Sequence, residues 1–241
     1  MSVLDRLRDG GGLAILVDPA RTSPSAAEEL ARRAAGEGVG ALLVGNSFGV
    51  ESASAVARAL RTGAAGVPVL QFPATAAQLV PEVDGVLLLS LVSGRNAQYL
   101  IEEHVRAVPF FAAHPRVEVL STAYCLIDGG HVTSVESVSQ TRPLPADKPE
   151  LVAAHVAAAR LIGMRATYLD AGSGATRPVG AASIRAARAA SPDLLFVGGG
   201  VRDGDGVRAA RDAGADFVVV GTLLERNGAI AVRDLALAAR A

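Results

Sequence analysis

The chain has 241 residues, 23 Lys and Arg against 24 Asp and Glu, a single cysteine, and a composition that is 50% hydrophobic but only 4% aromatic, without tryptophan. A net charge near zero argues against a nucleic-acid partner, which needs a clear basic excess, and the lone Cys125 rules out an intrachain disulfide and suits a reducing compartment. No apolar run reaches the roughly 18 residues of a membrane-spanning helix, and the charged stretch Met1–Gly12 lacks the apolar core of a signal peptide, so a soluble cytoplasmic protein is expected.

Apolar strands followed by Ala-rich helices recur along the chain. The first predicted strand is Leu13–Val17, with a helix from about Ser25 to Glu37. Strand two covers Ala41–Val44, followed by a helix from about Glu51 to Arg61. Strand three covers Val67–Phe72, and its helix, Thr75–Leu79, is short and closed by Pro81. Strand four is Val86–Leu89, with a helix from about Asn96 to Val108. Strand five, Val117–Leu126, runs through Gly129-Gly130 into His131–Val135, a pattern that predicts a hairpin. A loop containing Pro143, Pro145 and Pro149 leads into a helix over Glu150–Ile162. Strands six to eight are Ala166–Leu169, Leu194–Val197 and Phe217–Val220, with helices at Ala181–Ala189, Asp205–Ala213 and Ala229–Ala239.

Eight such units in a length close to the typical 250 residues or so predict one domain over 1–241. Its fold class is α/β, a (β/α)8 TIM-type barrel with a modified strand-three helix and a strand-five hairpin. An open, doubly wound sheet is the alternative. The scarcity of aromatics fits a core of Val, Leu, Ile and Ala, as in buried parallel strands.

Three strand ends stand out: Tyr168 to Ala175, Val197 to Val201, and Val220-Gly221-Thr222. Glycines there let backbone N–H groups approach an anion, and a following helix adds its N-terminal partial charge. Together they predict a cradle for a phosphorylated small molecule. Asp170, at the end of strand six, is the candidate base for a hydroxyl on that molecule. Asp18, before Pro19, either starts a turn or supplies a hard oxygen to Mg²⁺. Ser47 offers a hydroxyl at the end of strand two. Arg95 can reach an anion or lie solvated at a helix start, and Tyr168 can face the barrel interior as core. His104, His114, His131 and His155 share no metal-type spacing, and Cys125 reads better as a small buried hydrophobe than as a nucleophile.

These motifs resemble the geranylgeranylglyceryl and heptaprenylglyceryl phosphate synthases. The stretch Tyr168–Ala175 is similar to that family's Tyr-Leu-Glu-Ala-Gly-Ser-Gly-Ala signature. Asp18-Pro19, Val44-Gly45-Asn46-Ser47, Phe72-Pro73, Ser90–Ile101, Val197–Val201 and Val220-Gly221-Thr222 follow in order. The resemblance covers nearly the whole chain. It implies a Mg²⁺-dependent prenyltransferase joining an allylic prenyl diphosphate to a hydroxyl of a phosphorylated three-carbon acceptor, and it suggests a homodimer. It places Tyr168, Leu169, Asp170, Ala171, Gly172, Ser173, Gly174, Gly199, Gly200, Gly221 and Thr222 at the acceptor, and Asp18 and Ser47 at the metal. Peripheral contact with a membrane, to collect a lipid substrate, stays open.

Four departures from the family pattern lie at strand ends: Ala20-Arg21 for Asp-Lys, Asn46 for Gly, Ala74-Thr75 for Gly-Asn, and Asp170 for Glu. One negative charge is lost, and Arg21 offers a planar fork suited to a carboxylate. The expectation therefore leans to an anionic acceptor, 3-phosphoglycerate, with a farnesyl donor, as in moenomycin-type antibiotic biosynthesis. The alternative is sn-glycerol 1-phosphate and ether-lipid synthesis. A phosphosugar isomerase and a non-catalytic binding protein are weaker alternatives. An aldolase is disfavoured because the sole lysine, Lys148, lies in a Pro-rich loop.

Overall fold

Apolar residues alternate along the strands between two packed layers, which is what a strand buried on both faces requires. In the computed structural model, which describes residues 1–48, 53–221 and 231–240, eight parallel strands form a closed barrel. They are β1 (Gly12–Val17), β2 (Ala41–Val44), β3 (Val69–Gln71), β4 (Gly85–Leu91), β5 (Glu118–Leu126), β6 (Ala166–Asp170), β7 (Leu194–Gly198) and β8 (Phe217–Val220). Pairing of β1 with β8, from Gly12 opposite Phe217 to Ile15 opposite Val220, closes the ring and excludes the open sheet.

Outside the barrel, the strand residues Leu13, Ile15, Leu42, Val44, Cys125, Leu169 and Val218 pack against the helices. The wall is built from α2 (Pro24–Gly36), α3 (Ser54–Gly63), α4 (Glu103–Ala113), α6 (Pro149–Leu161), α7 (Ala181–Ala190), α8 (Gly204–Asp212) and α9 (Ala231–Arg240). Inside, Ala14, Leu43, Leu70, Leu87, Leu120 and Val219 fill the barrel beneath a row of rings. That row follows the strand register, Tyr124 opposite Tyr168, then Phe196, then Phe217, with successive rings stacked. Four of the nine tyrosines and phenylalanines thus form one interior layer.

One helix is absent from the sequence expectation. The segment Val3–Asp9 forms α1, capped by a reciprocal Ser2–Asp5 box, and its Val3, Leu4 and Leu7 join the barrel interior. Val3 N donates to Glu118 Oε1 at 2.8 Å, pinning α1 to the start of β5. The helix therefore plugs the end of the barrel opposite the strand C-termini. As expected, β3 is followed by only a short 3₁₀ turn, Ala76–Gln78. A π turn, Gln98–Glu102, precedes α4.

The hairpin predicted after β5 is not formed. Instead, a loop leads to a short helix, α5 (Ser134–Ser139), whose cap Thr133 accepts from Glu136 N at 3.2 Å. A hairpin would need the Gly129 carbonyl for a neighbouring strand. That carbonyl accepts instead from Thr176 N at 2.9 Å, Arg177 N at 3.1 Å and Thr176 Oγ1 at 2.9 Å. The Gly129 turn is thereby committed to the loop after β6, beside the predicted cradle.

Candidate active site

The C-terminal ends of the strands bring most of the predicted residues to one face. At the end of β6, Asp170 is buried, with 7% of its surface exposed. Gly172 N donates to Asp170 Oδ1 at 2.8 Å, and the Tyr124 hydroxyl donates to Oδ2. Burial raises the Asp170 pKa from its ordinary 3.8, while these two hydrogen bonds oppose the shift. A carboxylate held in this way is a better proton acceptor than one in water.

The neighbouring β7 turn fits tightly against Asp170. Gly199 has φ +81°, and a Cβ there would lie 2.6 Å from Asp170 Oδ1 and 2.6 Å from Gly172 N. Only glycine combines that conformation with that approach. Ser173 and Gly174 are exposed, and Gly199 and Gly200 are half-exposed, so this backbone is open at the mouth. Gly221 follows at the end of β8, while Thr222 lies outside the described residues.

Not every residue of the signature serves the mouth. Leu169 and Ala171 pack into the layer between barrel and helices, and Ala171 N is taken by the Gly198 carbonyl at 3.1 Å. Their side chains support the turn rather than line it, because strand alternation turns Leu169 away from the interior that Tyr168 and Asp170 face. The helix after β7 adds less than expected: Asp203 caps α8, accepting from Gly206 N at 2.8 Å, so a carboxylate already satisfies its first turn.

At the end of β1, Asp18 performs the turn role and keeps one oxygen less engaged. Its Oδ1 accepts from Ala20 N at 2.9 Å and from Asn46 Nδ2 at 3.2 Å. Arg21 Nε lies 3.7 Å from Oδ2, and the Arg21 side chain is 68% exposed. Arg21 thus sits as an ion pair on the chain's own carboxylate. Asn46 is oriented in turn by Gln78 Nε2 at 3.0 Å, which links the ends of β1 and β2 to the 3₁₀ turn after β3. Arg95 is exposed, and its guanidinium donates to the Gly94 carbonyl at 2.6 Å and the Val92 carbonyl at 3.4 Å. It closes its own turn, and the reading of Arg95 as an anion ligand gains no support.

Between these strand ends lies an open pocket enclosing about 580 Å³ including its mouth. Asn46 and Ser47 border it at one side, Phe72, Leu89, Leu91 and Tyr99 form its apolar wall, and Tyr124 lines it as well. Glu103 supports the wall: its Oε2 accepts from Ala76 N at 2.7 Å, tying α4 to the 3₁₀ turn. Tyr124 and the Asn46–Gln78 link escape a reading of the sequence. The signal for Tyr124 was present, since it occupies the same inward register as Tyr168 across β5 and β6.

A closed β/α barrel thus carries a buried carboxylate among glycine turns at its C-terminal face with an apolar pocket beside it, the place where enzymes of this fold hold their substrates. Comparison with known proteins narrows this. Residues 11–239 match the PcrB family, and the chain belongs to that family. A geranylgeranylglyceryl phosphate synthase of Spirosoma linguale is 40% identical over 89% of this chain and 86% of its own length. One of Methanothrix thermoacetophila is 39% identical over 91% and 86%. The crystal structure of (S)-3-O-geranylgeranylglyceryl phosphate synthase from Thermoplasma acidophilum, in complex with substrate sn-glycerol-1-phosphate, superposes with a TM-score of 0.90 at 26% identity, covering 99% of this chain and 98% of that one. The chain is accordingly an enzyme of the prenyltransferase class. Among the described residues, no helix is long and apolar enough to cross a membrane.

Proposed function

We propose that this enzyme forms an ether between C1 of an allylic prenyl diphosphate and a hydroxyl of sn-glycerol 1-phosphate. The observation that carries the reading is the junction of the apolar pocket with the phosphate cradle at Asp170, through Tyr124. The pocket suits an isoprenoid tail, whose burial contributes about 0.8 kcal/mol per CH₂. The glycine turns suit the acceptor phosphate, and Asp170 takes the proton of the attacking hydroxyl. The acceptor oxygen then bonds to the allylic carbon, and the diphosphate leaves with the electron pair of the broken C–O bond.

The reading of 3-phosphoglycerate as acceptor drew on the charge lost at Ala20, the shortened carboxylate at Asp170 and the fork of Arg21, and of these Arg21 lies against Asp18. The relatives named above are glycerol phosphate enzymes, so sn-glycerol 1-phosphate is the better-supported acceptor. Nothing in the site supports a farnesyl donor or an antibiotic pathway over ether-lipid synthesis. A homodimer in the cytoplasm completes this reading.

The donor set fits Mg²⁺. Among the described residues no three His, Cys, Asp or Glu cluster around a cation site. Mg²⁺ commonly takes one or two carboxylates and completes its shell with water and substrate phosphates. Asp18, whose Oδ2 lies 3.7 Å from the exposed Arg21, and Ser47 at the pocket rim would hold it. When bound, the ion neutralises the leaving diphosphate. Pyrophosphate release from geranylgeranyl diphosphate that depends on both Mg²⁺ and sn-glycerol 1-phosphate tests the proposal. No release with any acceptor would contradict it.

A further inference from the structure

Tyr124 joins the two halves of the site. Its ring lines the apolar pocket, stacks on Tyr168 with centroids 5.6 Å apart and approaches Phe72 at 6.1 Å. Its hydroxyl donates to Asp170 Oδ2, while Gly172 N holds Oδ1 at 2.8 Å. With one donor on each oxygen, the carboxylate cannot turn about its Cβ–Cγ bond without breaking both. Among the described residues, the titratable groups facing Asp170 are Tyr124 from β5 and Tyr168 from its own strand. The adjacent β7 brings Phe196, Gly198 and Gly199, with no charged side chain among the described residues.

The geometry points to Tyr124 as a positioning residue, whose hydroxyl fixes the Asp170 carboxylate at the boundary of pocket and cradle and keeps it in the ionised form that takes the acceptor's proton. The proton's origin rests on the prenyl-transfer reading; the hydrogen bond does not. Tyr124 keeps its own proton throughout. Burial and the adjacent Asp170 charge push its pKa well above the phenol range, so it donates to the carboxylate and does not act as a second base. Without it, burial would act on Asp170 opposed by Gly172 N alone.

Tyr124→Phe keeps the ring and its stacking and removes one oxygen. Kinetics across pH, together with the Asp170 carboxyl stretch followed by infrared difference against Asp170→Asn, test the assignment. The variant should lose about ten- to a hundredfold in kcat, with the acceptor KM within about threefold of wild type. The acid limb of the kcat profile should move to higher pH, and the protonated-carboxyl band should persist to higher pH with it. A fluorinated tyrosine at position 124, a stronger donor, should move both in the opposite direction. A merely structural role would raise KM for both substrates and leave the acid limb in place. An unmoved carboxyl band in both variants overturns the assignment. That titration needs no substrate, so it decides the role of Tyr124 even if the wild-type enzyme transfers no prenyl group, a result that would overturn only the reading of the reaction.

Discussion

Gly199, in the turn after β7, and Asp170, at the end of β6, are packed so closely that a Cβ on Gly199 would lie 2.6 Å from Asp170 Oδ1. The Asp170 carboxylate and the Gly199 turn are therefore one unit, and a change in either is felt by the other. Gly199→Ala adds backbone strain of about 1–3 kcal/mol at its positive φ and displaces the carboxylate. Turnover should fall by at least about tenfold, with weaker phosphate binding and a Tm lower by several degrees. Gly180→Ala is the control: no neighbouring atom lies within 4 Å of its added Cβ, and turnover should stay at the wild-type level.

Asp170→Asn removes the proton acceptor while sparing the glycine backbone. Turnover should drop by roughly a hundredfold or more, with the affinity for glycerol phosphate, read by calorimetry, within a few-fold of wild type. Wild-type turnover in this variant would refute the base assignment.

The same carboxylate links stability to pH. Burial raises its pKa in the folded state above the 3.8 of the exposed group. Between those two values the native state holds more protons than the unfolded one, so stability falls as pH rises through that window. Above the folded value the cost is constant. Asp170→Asn has no such group, so its Tm minus that of wild type should grow as pH rises from about 4 and level off once the pH passes the raised folded-state value. A difference independent of pH would contradict the burial argument.

Asp18→Ala removes the charge at the end of β1 together with its contacts to Asn46 and Arg21. Since the cradle lies on β6 and β7, the variant should bind glycerol phosphate normally, lose turnover, and need far more Mg²⁺ for whatever activity persists. Unchanged Mg²⁺ dependence would remove Asp18 from the metal site.

Cys125 is completely buried on β5, which pushes its thiol pKa up to about 12. Thiol reagents at pH 8 should leave the native enzyme unmodified and active, and should label one thiol per chain only on unfolding. Rapid loss of activity on labelling would argue for a reactive cysteine.

The barrel, and the gathering of Asp170, Gly172, Gly199 and Gly200 at one face of it, were legible because their information is local. Asp170, Gly172, Gly199 and Gly200 announce themselves as small or charged residues directly after buried apolar runs. What was not legible depends on partners distant in sequence. Tyr124 acquires its role only from the β5–β6 register that sets it opposite Tyr168, two residues before Asp170. Gly129-Gly130 looks the same whether it serves a hairpin or, as here, gives its carbonyl to Thr176 and Arg177. Arg21 offered a free fork in sequence, and the fold turns it onto Asp18. The plug helix α1 was signalled by Ser2 and Asp5, a capping pattern hidden by its charged surroundings.

The most direct test of ether formation on glycerol phosphate is a crossed assay. The enzyme with Mg²⁺ is given geranylgeranyl diphosphate or farnesyl diphosphate and, in separate reactions, sn-glycerol 1-phosphate, sn-glycerol 3-phosphate or 3-phosphoglycerate, with pyrophosphate and the ether product both quantified. The predicted result is stoichiometric pyrophosphate and ether with sn-glycerol 1-phosphate, at a rate at least about tenfold above either other acceptor. Preferred turnover of 3-phosphoglycerate, or no ether with any pair, would contradict the account.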